Sequence, residues 1–194
     1  PPDAALLAAF LRGAGLPDAR IENPAAMMQE LGAAFRATVS GLRAVLIARA
    51  AIKGEFRIEQ TMIRAKGNNP LKFSADDDDA LAAIFGARRA GMPPAQAIEE
   101  ALRDMRLHEL ATMAAMQSAV RDILKWLAPE EAMASAGGGL VPMQKKARAF
   151  EAYEDLHKGL VAALADDFDS VFGKAFARAY EEALREISAR PEDR

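Results

Sequence analysis

Apolar positions recur at helical spacing along most of the chain. After Asn23 they fall at Met28, Leu31, Phe35, Val39, Leu42, Val45, Ile52, Phe56 and Ile63, steps that keep them on one helical face. Asn23 is a natural cap and Pro24 suits the first helical position. The spacing therefore predicts an amphipathic helix of about 40 residues, bent locally at Gly54. A second run, Ile98, Leu102, Met105, Leu110, Met113, Met116, Val120, Ile123 and Leu127, steps at close to 3.6 and predicts another long helix packed antiparallel on the first. From Met143 onward Phe150, Tyr153, Leu156, Leu160, Leu164, Phe168, Phe172, Phe176, Tyr180 and Leu184 continue the pattern, with a break expected near Gly173.

Shorter helices fit between these. One spans "DAALLAAFLRGAGL", with Asp3 as N-cap and Gly13 and Gly15 where a left-handed C-cap is easy. Another is "ADDDDALAAIFG", and Pro129 opens a third. "RRAGMPP" reads as a turn, "ASAGGGLVP" as the most flexible segment and "ARPEDR" as a frayed tail. The expected fold is all-α, a single helical bundle of about six helices with two or three long ones and short capping helices. Residues 1–194 form one domain in this reading, with a short N-terminal helix over 1–22, central helices over 24–136 and C-terminal helices over 142–190.

One stretch breaks the pattern. In "AKGNNPLKFS" (residues 65–74), Pro70 pushes Asn69 out of helical geometry, while Asn68 and Asn69 can satisfy local backbone groups. Residues 71–73 alternate, so Leu71 and Phe73 share a face opposite Lys72 in an extended reading. Phe73 finds no staple partner in the following helix, because the fourth helical position is Asp78. It must seat at the end of the bundle core or in a partner's pocket.

Composition narrows the function. The chain is 51% hydrophobic but only 6% aromatic, with abundant alanine and few β-branched residues, which favours close helix packing through small side chains. It has no cysteine, so no disulfide or thiolate chemistry supports it, and a reducing compartment is compatible. No uncharged apolar run approaches the ~20 residues of a membrane span, so no transmembrane segment is expected. Pro1-Pro2-Asp3 resembles no signal peptide and implies a segment of a longer protein. A net charge of −3 gives no case for nucleic acid.

Charge is unevenly spread. Residues 31–74 carry eight basic side chains against two acidic ones, a local net of +6. Arg36, Arg43, Arg57 and Arg64 recur at multiples of seven, with Arg49 and Lys53 nearby, and so form a basic stripe beside the apolar seam. Such a stripe is either a solvated face whose stems cover apolar surface or a dock for an acidic partner. If it serves a partner, Arg57, Gln60, Thr61 and Arg64 share one helical face leading into Asn68, Asn69, Pro70, Leu71, Lys72 and Phe73. These ten residues are the candidate partner-binding surface.

The inventory of reactive groups is thin. "HELAT" at His108 matches half of the His-Glu-x-x-His zinc pattern, but Thr112 replaces the second histidine. His157 is the sole other histidine, so no metal site is expected. The acidic run Asp76 to Asp79 cannot converge on one ion, since consecutive helical residues point ~100° apart. It suits a helix N-terminus, with Ser74 as N-cap and Asp77 completing a capping box. Met27, Met28, Met105, Met113 and Met116 fit a core better than an adaptable groove. No nucleophile elbow, phosphate loop or dinucleotide fingerprint is present. The expectation is a protein that is not an enzyme and takes no cofactor, with a metal-dependent hydrolase as the remote alternative.

The run "EFRIEQTMIRAKGNNPLKFS", with "AFLRGAGL", "LHELATMAAMQSAV" and "DDFDSVFGKAFARAYEEALREI", resembles the C-terminal region of the FHA-domain proteins associated with bacterial type VI secretion. The resemblance covers about residues 4–188, and "NNPLKFS" preceded by "EQT" is its most specific element. It implies a cytoplasmic scaffold or regulatory module that docks on the baseplate or membrane complex of the secretion machine. Self-association that clusters the attached FHA domains is the alternative. The phosphothreonine-binding β-sandwich of such proteins has no counterpart in these residues, so the resemblance implies no phosphothreonine binding here.

Overall fold

The computed structural model describes residues 2–58, 67–86, 92–136, 141–166 and 172–189. These form eight helices and, among the described residues, no strand: α1 (Pro2–Gly13), α2 (Pro24–Glu55), α3 (Pro70–Phe73), α4 (Asp77–Ile84), α5 (Pro94–Trp126), α6 (Pro129–Ser135), α7 (Pro142–Asp166) and α8 (Lys174–Ala189). Helix boundaries follow local chemistry. Asn23 Oδ1 accepts from the Ala26 amide at 3.1 Å to start α2. After α1, Gly15 adopts φ 76° while the Leu16 amide reaches back to the Leu11 carbonyl at 2.8 Å, the Schellman closure that glycine makes easy. Asp3 lies inside α1 and not at its cap, because the helix already begins at Pro2.

The largest departure from the periodicity is the end of α2. The apolar pattern predicts helix through Ile63, yet α2 stops at Glu55. The Ile58 amide bonds the Lys53 carbonyl at 2.8 Å and the Arg57 amide bonds the Gly54 carbonyl at 3.1 Å, with Arg57 at φ 52°. This is again a Schellman closure, but with an arginine where glycine is preferred. Its effect is to deliver Ile58 into a core, where it is buried.

Two buried clusters meet on α5. The first joins Val39, Leu42 and Leu46 of α2, Leu71 of α3, Ala80, Leu81 and Ile84 of α4 and Ala101 of α5. The second joins Ile58, Ala111 and Ala115 of α5, and Phe176, Tyr180 and Ala183 of α8. Phe172, Phe176 and Tyr180 stack at successive four-residue steps, with centroids 5.8 and 6.2 Å apart, and Phe56 meets Phe176 at 4.4 Å. The α5–α8 pair is the most extensive helix contact; α6 packs on α7, burying Ala132 and Ala149. Tyr180, Phe176 and Leu184 thus take the inward positions that the spacing predicts.

On α5 the predicted stripe is overturned at five of its nine positions. Ala97, Ala101, Ala111, Ala115 and Ala119 face the core, while Leu102, Leu110, Met113, Met116 and Val120 are exposed. Alanine allows α8 to approach closely with its bulky aromatics, so the small residues win the buried face. Contact between α5 and α2 exists through Ala101, Ile98 and Met105, but it is the minor packing of α5.

Helix α2 is long and apolar enough to cross a membrane, with a stretch of mean hydropathy 1.4, where the criterion of an uncharged run predicts no span. Length and apolarity alone do not separate such a helix from a core helix. Arg43 and Lys53 of α2 are buried within the fold, while the opposite face, including Ala37, Gly41, Ala44, Ala48 and Ala51, is exposed.

Candidate functional site

The segment from Asn69 to Asp79 is pinned by side chains that belong elsewhere in the sequence. Asn69 is 1% exposed and acts in two directions. Its Oδ1 accepts from the Leu71 amide at 3.0 Å, capping α3, while its Nδ2 donates to the Ala97 carbonyl at 2.8 Å and to Glu100 at 3.4 Å. One buried amide therefore shapes the turn and fastens it to α5. The extended alternation predicted for 71–73 is replaced by a single helical turn, because Asn69 and Pro70 supply a cap and a first helical residue. Leu71 then points into the core at 1% exposure.

Arg43 holds the same segment from α2. Its Nε donates to Asp77 Oδ1 at 2.8 Å, and its two terminal nitrogens donate to the carbonyls of Pro70, Leu71 and Ser74 at 3.5, 3.4 and 3.1 Å. Ser40 also donates to Asp77. These bonds hold the Asp77 carboxyl below the usual carboxylate range, Ser40 and Arg43 being the main causes. Asp77 is thus spent on α2, and the cap of α4 is Asp76, which accepts from the Asp79 amide at 2.7 Å. The predicted Ser74–Asp77 capping box does not form, since Ser74 closes α3.

A second charged group lies where α2, α3 and α5 meet. Lys72 Nζ is 2.6 Å from both Glu100 and Asp104, and Arg49 is 4.0 Å from Asp104. All four side chains are largely buried, so each charge is compensated by a neighbour. Beyond them His108 Nδ1 lies 2.8 Å from the Tyr180 hydroxyl. Burial, with the Arg49 and Lys53 charges, lowers the His108 pKa; burial raises that of Tyr180. His108 is a structural link between α5 and α8.

This placement sorts the predicted surface. Asn69, Pro70 and Leu71 are buried, Asn68, Lys72 and Phe73 are half-buried, and Arg57 is exposed beyond the end of α2 rather than on a helical face. Gln60, Thr61 and Arg64 lie outside the described residues. Of the basic stripe, Arg36 is a solvated side chain paired with Asp78 at 2.7 Å. Arg43 and Lys53 are not solvated, at 5% and 6% exposure, because the stripe sits beside the seam that α3 and α4 cover. Glu100 and Asp104 escape the sequence reading; their only signal is a pair of acids four residues apart beside the small-residue face of α5.

Arg49, Lys53, Lys72 and Phe73 line two adjoining clefts of about 150 and 400 Å³. The smaller is walled by Leu46, Ile47 and Ala50 of α2 opposite Phe73. Its floor is the Arg43- and Asn69-fastened turn, so its shape exists before anything enters. Ile47 is 61% exposed at its rim. Among the described residues no three His, Asp or Glu side chains are grouped to hold a metal ion.

Residues 12–183 match the family described as the C-terminal domain of Type VI secretion system FHA protein. No curated protein and no solved structure matches the chain.

Proposed function

Since the chain belongs to the family of C-terminal domains of type VI secretion system FHA proteins, we propose that this type VI secretion-associated domain is a non-enzymatic interaction module. It supports assembly of the secretion machine in the cytoplasm by docking on a baseplate or membrane-complex component. The single observation that carries this reading is the preformed cleft between Ile47 and Phe73. The groups with chemical potential around it, Arg43, Asn69, Lys72, Asp104 and His108, are all engaged in holding helices together. What remains available is an apolar notch, a shape that suits an apolar anchor side chain on a partner.

The loop "NNPLKF" serves this surface by shaping it more than by touching the partner. Phe73 and Ile47 would make contact; Asn69, Pro70 and Leu71 would set the position of Phe73. Binding of purified baseplate and cytoplasmic membrane-complex components, measured one by one, tests the reading. Ile47→Glu should abolish the interaction that the native chain shows, with helical content unchanged. Failure of every component to bind the native chain would refute the docking role.

A further inference from the structure

Going beyond docking on the secretion machine, we propose that the outer face of α5 is the seam of a homodimer, in which two copies of α5 pair antiparallel about a two-fold axis. The face consists of Leu102, Leu110, Met113, Met116, Val120 and Leu124, each between 45% and 63% exposed. The core of the protein does not use it, because the alanine face of the same helix packs against α8. A contiguous exposed stripe of large apolar side chains on a long helix marks an interaction surface.

Its spacing and charges identify the occupant. Residues 99, 102, 106, 109, 113, 116 and 120 alternate steps of three and four, the heptad seam of a coiled coil rather than the wider stripe of a bundle helix. Three of these positions are charged: Glu99, which faces the partner's Met116 in the pairing below, and the adjacent pair Arg106 and Glu109. Both are exposed, and neither makes an ion pair within the chain among the described residues. A partner that covers this face leaves both charges desolvated unless it supplies an acid opposite Arg106 and a base opposite Glu109. A second copy does both at once. With the axis between Leu107 and His108, Arg106 faces the partner's Glu109, Glu109 faces the partner's Arg106, and Leu102 faces the partner's Met113 on each side of the centre. Parallel pairing in register instead sets Arg106 against the partner's Arg106 and Glu109 against the partner's Glu109, which is repulsive. The charged pair selects orientation and register, while the Leu–Met layers supply the apolar contact.

Sedimentation equilibrium on the whole 194-residue chain reads the assembly directly. The native chain is expected to be a dimer. Arg106→Glu places like charges together and should weaken it at least tenfold. The double variant Arg106→Glu with Glu109→Arg restores both opposite-charge pairs and should return it to native affinity. Because the chain has no cysteine, orientation can be read separately. A mixture of Leu102→Cys and Met113→Cys chains should form a mixed disulfide, with little linkage within either variant alone. A monomeric native chain, a double variant no better than the single one, or preferential linkage of Leu102→Cys to itself would each overturn the proposal. Dimerisation with every secretion component still unbound would refute the docking reading and leave this one standing.

Discussion

The two cores that share α5 are built from different materials. The first closes aliphatic side chains around Leu71 and is locked by a buried arginine and a buried asparagine that bond the backbone of α3. The second has no such lock: alanines of α5 receive stacked aromatics from α8, with one hydroxyl–imidazole bond across the seam. Position is set by directional bonds in the first core and by close packing in the second. The first core should therefore respond to loss of a polar group, and the second to loss of volume and to pH.

The largest expected effect falls on the second core. Tyr180→Ala removes a fully buried ring from the stack and should cost about 4 kcal/mol in chemical denaturation. Tyr180→Phe keeps the ring, loses the bond to His108, and should cost only about 1 kcal/mol. Equal losses would show that the hydroxyl, not the packing, holds α5 to α8.

Next comes the first core. Arg43→Met preserves much of the stem volume but removes one donor from Asp77 and from each of three carbonyls. Stability should fall by about 3 kcal/mol, for the several hydrogen bonds lost with the buried guanidinium. Asn69→Ala removes a cap and the tie to Ala97 and should cost about 2 kcal/mol by thermal melting. If Arg43→Met is neutral, the polar lock is decoration and the aliphatic cluster alone fixes α3.

The two cores also differ in legibility. Phe172, Phe176, Tyr180 and Leu184 announce the second core by their spacing, since aromatics at four-residue steps on an otherwise polar helix have one face to bury. What spacing could not show is that α5 meets them with alanines, because hydropathy weighs a leucine stripe above an alanine one. In the first core the reading lets Asn69 satisfy local backbone groups but expects an extended 71–73, and so misses the helical turn that Asn69 caps. The burial of Arg43 was not readable, because its partners lie about thirty residues away in the chain and only the fold brings them together. The end of α2 was hidden for a local reason: the residue in the left-handed position is Arg57, and sequence patterns look for glycine there.

A pH titration sharpens the comparison further. His108 has its pKa lowered from 6.5 in the fold, so the unfolded chain takes up a proton first as pH falls through about 6.5. Stability should decline below that point and continue to decline until the folded-state histidine also protonates. His108→Gln should flatten this dependence in urea melts at pH 7.5 and 5.5, whereas Asn69→Ala should leave it intact. Smallest of all, Arg57→Gly should raise stability by up to about 1 kcal/mol, by relieving a left-handed arginine at the end of α2. A loss on that substitution would mean that the Arg57 side chain contributes more than its backbone costs.

The central claim is that the first core exists to present the Ile47–Phe73 notch to a protein of the secretion machine. Titration calorimetry of the purified component that binds the native chain, against Phe73→Ala, tests it most directly. Phe73 is half-buried, and a contact side chain of this kind should lose at least tenfold in affinity, about 1.4 kcal/mol, on truncation. The melting temperature should meanwhile remain within a few degrees of native. Unchanged affinity in a folded Phe73→Ala chain would contradict the claim and move the docking site elsewhere.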